Sequence, residues 1–141
     1  MASRLLAALL TGWMRATGIG ARTLSHAAHR TAQRIGSPVN GLTISQVQEM
    51  GAVNPKPNRP PRLPSGPTLW VLCETFAGIE PNAGEVEAGR FPATTGQIRE
   101  QLIAAWATDR DDSVTLYLLR EIDFLRSTIR QLAATQARRE T

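Results

Sequence analysis

The chain has 141 residues, a formal net charge of +4 and a single cysteine, Cys73. This length allows one small domain at most, and a lone cysteine excludes both an intrachain disulfide and a cysteine-based metal cluster. Residues 1–48 contain five of the 16 basic residues and no acidic residue, which leaves 11 basic against 12 acidic residues in the rest. The basic charge therefore belongs to the N-terminal third, and it does not indicate a nucleic-acid-binding protein.

The first 35 residues predict a basic amphipathic helix. Its apolar residues recur at helical spacing and share one face: Leu5, Leu6, Leu9, Leu10 and Trp13. Gly12 and Arg15 interrupt the apolar stretch, so it is too short to span a bilayer. Further arginines follow at positions 22, 30 and 34, with Ser and Thr between them.

This combination is typical of an organellar transit peptide. Arg22-Thr23-Leu24-Ser25 resembles the cleavage pattern of the mitochondrial matrix protease, with the cut after Leu24, and Arg34-Ile35-Gly36 offers a second site. The alternative is a basic arm that stays on the mature protein and lies on an anionic lipid surface, on RNA or inside a virion or other assembly. Both interpretations remain open at the level of sequence.

Residues 36–93 predict an extended, Pro/Gly-rich region with two short ordered elements. Ser45 and Gln48 have the form of a capping box, so we expect a short helix over 46–50. Six prolines between positions 54 and 67 exclude a helix or a central strand there. The apolar element at 69–76 is either a strand that pairs with another protein or a short buried helix. We expect Cys73, inside this element, to be a buried and inert thiol.

Residues 94–137 predict a C-terminal helical hairpin. Thr94 or Thr95 can cap a first helix that ends near Thr108, and its apolar positions are Ile98, Leu102, Ile103 and Trp106. The second helix carries an apolar seam at spacings of 4-3-4-3, which is the pattern of a coiled coil: Leu118, Ile122, Leu125, Ile129 and Leu132. Leu116, Leu119 and Phe124 widen this surface, so we expect the helix to pack on more than one neighbour.

The sequence offers few groups for catalysis. His26 and His29 are the only histidines, and no carboxylate or thiol lies near them in the sequence, so solvated histidines are a better interpretation than metal ligands. Gly18-Ile19-Gly20 lacks both the preceding strand and the third glycine of a phosphate-binding loop. We therefore expect no enzyme activity, no catalytic residue, no metal and no cofactor.

These features predict a mainly α protein of short helices with an extended Pro-rich linker, a C-terminal αα-hairpin and no large autonomous core. A fold of this kind suits a non-catalytic accessory subunit of a mitochondrial complex, in the matrix or associated with the inner membrane. The residues after position 48 are close to neutral in net charge, and this favours the respiratory chain or ATP synthase over the mitoribosome. The alternative is a viral or phage structural protein with a basic N-terminal arm.

The expected partners are other protein subunits. We expect no small-molecule substrate, no nucleic-acid partner and at most peripheral contact with a membrane. The predicted partner-binding residues are the apolar seam and two tryptophans: Leu118, Ile122, Leu125, Ile129, Leu132, Trp70 and Trp106.

Overall fold

The computed structural model describes residues 5–50, 62–111 and 113–140. Within these ranges the chain forms six α-helices and no strand, and 71% of the described residues are helical. The helices are α1 (Leu5–Thr17), α2 (Ala21–Ile35), α3 (Ile44–Glu49), α4 (Gly66–Ala77), α5 (Thr95–Asp109) and α6 (Ser113–Glu140). The predicted mainly α fold class is confirmed.

The two N-terminal helices are core elements. In α1, Leu6, Leu10 and Trp13 lie on one face and are at most 2% exposed, because spacings of four and three return to the same side of a helix. Trp13 packs with its ring 5.4 Å from that of Phe76 and 5.5 Å from that of Phe91. Leu24 of α2 is fully buried as well, so the N-terminal third is built into the folded body.

The start of α1 is held by a carboxylate from another helix. Asp109, the last residue of α5, accepts hydrogen bonds from the backbone N–H groups of Leu5 and Leu6 at 3.0 and 2.9 Å. These N–H groups have no partner inside α1, and a negative charge is favourable at this end of a helix. This contact joins residues that are more than 100 positions apart in the sequence, and it holds α1 against α5.

Helix α3 begins two residues before its predicted position. Its capping box is formed by Thr43 and Gln46 instead of Ser45 and Gln48, and both pairs have the required three-residue spacing. The observed choice places Leu42 before the cap and Val47 at the fourth helical position, and both side chains are buried. Such a hydrophobic staple stabilises this helix start, which explains why the earlier box is used.

The apolar element at 69–76 is a helix, α4, and not a strand. Ser65 caps it by accepting a hydrogen bond from the N–H of Thr68, and Pro67 lies in its first turn, where proline is well tolerated. Leu69, Val71 and Leu72 are all buried, and they point to more than one side of the helix. Apolar residues on both sides are compatible with a central helix, and α4 packs against both α2 and α5.

Helices α3 and α4 lie within residues 36–93, at the two places where the sequence predicts ordered elements, and each begins two to three residues earlier than predicted. Residues 62–65 form no regular element, as expected, whereas most of the proline-rich stretch lies outside the described residues. Residues 78–93 form turns, and the N–H of Asn82 donates to the carbonyl oxygen of Ala16 at 2.8 Å. This hydrogen bond holds the loop against the C-terminal end of α1.

Helix α5 is the centre of the fold. Of the two predicted cap residues, Thr94 and Thr95, it is Thr94 that caps the helix, in a capping box with Gln97. The helix packs against α1, α4 and α6. Most of the buried cluster comes from α1, α2 and α4. The amphipathic N-terminal face and the short apolar run of α4 are both folded into this cluster, so the core is larger than the sequence predicted.

Candidate functional site

Helix α6 carries a stripe of large apolar side chains that the rest of the chain leaves in contact with water. The five seam residues, called the α6 face below, are 43–65% exposed: Leu118, Ile122, Leu125, Ile129 and Leu132. By contrast, Leu6, Leu10 and Trp13 of α1 and Leu69, Leu72 and Phe76 of α4 are at most 5% exposed. Large exposed patches of this kind mark interaction surfaces in soluble proteins.

The α6 face is exposed because α6 has one neighbour among the described helices, α5. Helix α6 has 28 residues and α5 has 15, so at 1.5 Å per residue they are roughly 42 and 22 Å long. The second half of α6 therefore extends beyond α5. From residue 129 to residue 139 every side chain is exposed.

Helix α6 contacts α5 through a side of the helix that differs from the α6 face. Leu116 and Leu119 are half-buried, and Arg126 forms an ion pair with Glu100 of α5. This exposed pair contributes little to stability, but it shows which side of α6 turns toward α5. The hairpin thus leaves the α6 face available for another molecule.

Three further apolar side chains extend the exposed surface of α6. Val114, Tyr117 and Phe124 are 68%, 61% and 65% exposed. The sequence pattern includes Phe124 in the widened apolar surface, whereas it does not indicate Val114 or Tyr117. Their sequence positions carry no signal of exposure, because an apolar residue near a helix start is equally common in a core.

The two predicted tryptophans lie apart from this stripe or have partners inside the chain. Trp70 is 44% exposed, but it belongs to α4, which does not contact α6. Trp106 of α5 donates a hydrogen bond from its indole Nε1 to the carbonyl oxygen of Pro64 at 2.8 Å. The Arg110 guanidinium lies 4.4 Å from the centre of the Trp106 ring, so this tryptophan holds the segment before α4 and the end of α5.

A shallow groove of about 900 Å³ lies between α2 and the segment 38–46. Two of its polar side chains hold that segment: the Ser25 hydroxyl donates to the carbonyl oxygen of Leu42, and His29 Nδ1 lies 2.8 Å from the carbonyl oxygen of Asn40. Gly41 packs so closely that a Cβ there would lie 2.9 Å from the backbone of His29. These contacts identify Ser25 and His29 as structural ties between α2 and the segment.

Cys73 is buried, as predicted. Burial, with a smaller contribution from the carboxylate of Glu74, raises the pKa of the Cys73 thiol to about 12. The thiolate is the reactive form of cysteine, so at neutral pH this side chain is a poor nucleophile. Cys73 acts as a small apolar group between its neighbours in α4.

The described residues contain no group of three His, Cys, Asp or Glu side chains placed to hold a metal ion. None of the helices in the described ranges has the length and apolar character needed to cross a membrane. Comparisons with protein-family models, with curated proteins and with solved structures found no match.

Proposed function

We propose that this protein is a non-catalytic docking subunit whose α6 face binds another protein chain. The observation that carries the proposal is the 4-3-4-3 stripe of five apolar residues, all at least 43% exposed. Fully burying a Leu or Ile side chain contributes about 1.5–3 kcal/mol. Five such residues on one continuous helix supply the apolar centre of an interface, and the charged residues beside them supply its rim.

The other helices support this division of roles. Helices α1 to α5 supply the buried cluster and form a folded head, whereas α6 contributes no residue to it. A long helix that does little for the core of its own chain is available to add an apolar surface to another protein. The function then resides in an assembly and does not require a catalytic group.

We further propose that the assembly is a mitochondrial complex, with the respiratory chain or ATP synthase favoured over the mitoribosome. The support is the N-terminal run of 48 residues that contains five arginines and no acid. Because Leu6, Leu10 and Trp13 are core residues, the form of this proposal that fits the fold keeps α1 and α2 on the mature protein.

A viral or phage structural protein remains the second candidate. Arg22, Arg30 and Arg34 lie exposed along α2, so the folded N-terminal region presents a basic surface that an assembly with a nucleic-acid interior would accommodate. In this case the basic residues that contact the nucleic acid lie on the folded helix α2 and not on an extended N-terminal arm.

Localisation separates these two candidates. The full-length chain fused at its C-terminal end to a fluorescent protein should enter mitochondria, and intact-mass analysis of the recovered protein should include the residues of α1 and α2. Changing Arg4, Arg15 and Arg22 to Glu together should abolish import. A diffuse signal from the unmutated fusion would contradict the mitochondrial proposal and leave the docking proposal standing.

The docking proposal is tested by charging the α6 face. The double variant Leu125→Asp with Ile129→Asp should lose co-purification with its partners, because carboxylates would be buried without a partner in the interface. The purified variant should still show cooperative unfolding of the head, because both positions are exposed in the chain itself and neither belongs to the buried cluster. Arg120→Asp with Arg130→Asp, exposed on other sides of α6, is the matched control and should retain its partners.

A further inference from the structure

The α6 face follows a heptad register that selects one kind of partner. In this register Ile122 and Ile129 occupy position a, and Leu118, Leu125 and Leu132 occupy position d. Isoleucine at a with leucine at d favours a parallel coiled coil of two strands. All five side chains are exposed in the single chain, as the seam of a coiled coil is before its strands meet.

The charged residues beside the seam also fit a parallel coiled coil of two strands. Glu121 occupies position g and Arg126 position e of the next heptad, five residues later. In a parallel pair a g residue of one helix faces the following e residue of the other. Two identical helices would therefore form two Glu121–Arg126 pairs related by the twofold axis. An antiparallel pair sets g against g and e against e, so these two side chains would not meet.

We infer that the α6 face binds a second copy of this chain, so that two α6 helices form a parallel coiled coil. This inference rests on the proposed function, in which the α6 face is the docking surface, and it names the occupant. The preceding g and e positions, Val114 and Leu119, are also five residues apart and both apolar, so they extend the contact between identical helices toward the heads.

Arg126 stays accessible beside α5. Helix α5 lies on the e side of α6, where Leu119 is half-buried and Arg126 pairs with Glu100. The Arg126 side chain is still 46% exposed, and a guanidinium has five N–H donors. Arg126 can therefore keep its contact with Glu100 while it binds Glu121 of the second copy.

The test is the mass of the purified full chain in solution, measured by sedimentation or light scattering over a concentration series. We expect a dimer of twice the 15.3 kDa chain mass. Glu121→Arg alone and Arg126→Glu alone should each raise the dissociation constant by about tenfold, because two attractive pairs become two repulsive ones. Mixing the two variants should restore the dimer, because the arginine introduced in one chain then meets the glutamate introduced in the other.

Two controls make the result specific. Arg120→Glu changes the charge at position f, away from the seam, and should leave the dissociation constant unchanged. Gln136→Cys places a thiol at the next position a, where a parallel pair brings two identical residues together. Mild oxidation should then give a covalent dimer, and the buried Cys73 should not contribute to it.

A chain that stays monomeric at every concentration would overturn the inference. If that monomer still recovered other proteins through the α6 face, the docking function would stand and the second copy would be excluded. A dimer that neither responds to the charge variants nor forms the Gln136→Cys crosslink would overturn the parallel arrangement.

Discussion

Replacing two adjacent leucines at the start of α1 distinguishes a core helix from a detachable arm. Leu5 and Leu6 are neighbours in sequence, and their side chains are 49% and 1% exposed. The change to Ala alters helix propensity equally at both positions, so the difference between the two variants reports burial. For Leu6→Ala, loss of the buried side chain and the resulting cavity should cost about 2–5 kcal/mol.

Leu5→Ala removes a side chain that remains half in water, and its cost should stay below about 1 kcal/mol. A domain has a total stability of about 5–15 kcal/mol, so the Leu6 variant should lose a large part of it. Urea unfolding followed by far-ultraviolet circular dichroism measures both values. Equal, small losses from the two variants would refute the placement of α1 in the core.

Three further predictions concern the same fold. Deleting residues 1–24, the segment before the predicted cleavage site, should give a chain that does not fold cooperatively, since it removes α1 and Leu24 from the core; a cooperative thermal transition would contradict this. Asp109→Ala should cost about 1 kcal/mol through loss of the cap on α1, whereas Asp123→Ala on the exposed part of α6 should be neutral in the same unfolding assay. Cys73 should resist alkylation in the folded protein at neutral pH and react in urea. Because the pKa of its thiol rises from 9.0 to about 12 on folding, this residue's contribution to stability should be complete below pH 9 and be lost as the pH rises toward 12.

Local signals in the sequence predicted several elements well. Thr94 and its partner Gln97 carry a capping box that needs no tertiary contact, and α5 begins where the sequence places it. At α3 two boxes overlap, and the choice depends on whether Leu42 and Val47 can pack together. Considering the residues on both sides of the cap, and not the box alone, would have identified the correct start.

The role of the N-terminal helices was not predictable from their own residues. An amphipathic, arginine-rich helix has the same pattern whether its apolar face binds an import receptor, a lipid surface or its own core. The contacts that decide the question come from Phe76, Phe91 and Asp109, which are more than 60 residues away in the sequence. Long-range packing of this kind leaves no periodic signal.

For the candidate site, the sequence revealed the local pattern of α6 but not its exposure. The heptad spacing of α6 was visible in the sequence, and the structure confirms a continuous helix from Ser113 to Glu140. The sequence did not reveal that the seam points to water, because the same spacing is expected for a buried helix. Exposure follows from the difference in length between α5 and α6 and from the rotation of α6, which turns Leu119 and Arg126 toward α5.

The most direct test of the α6 face as a docking surface is site-specific photocrosslinking in cells that express the full chain. A photoreactive amino acid at Leu125, in the centre of the face, should give a discrete crosslinked product with a second polypeptide. The same group at Arg120, on the opposite side of α6, should give little or none. Equal crosslinking from the two positions, or product from Arg120 alone, would contradict the assignment of the α6 face as the docking surface.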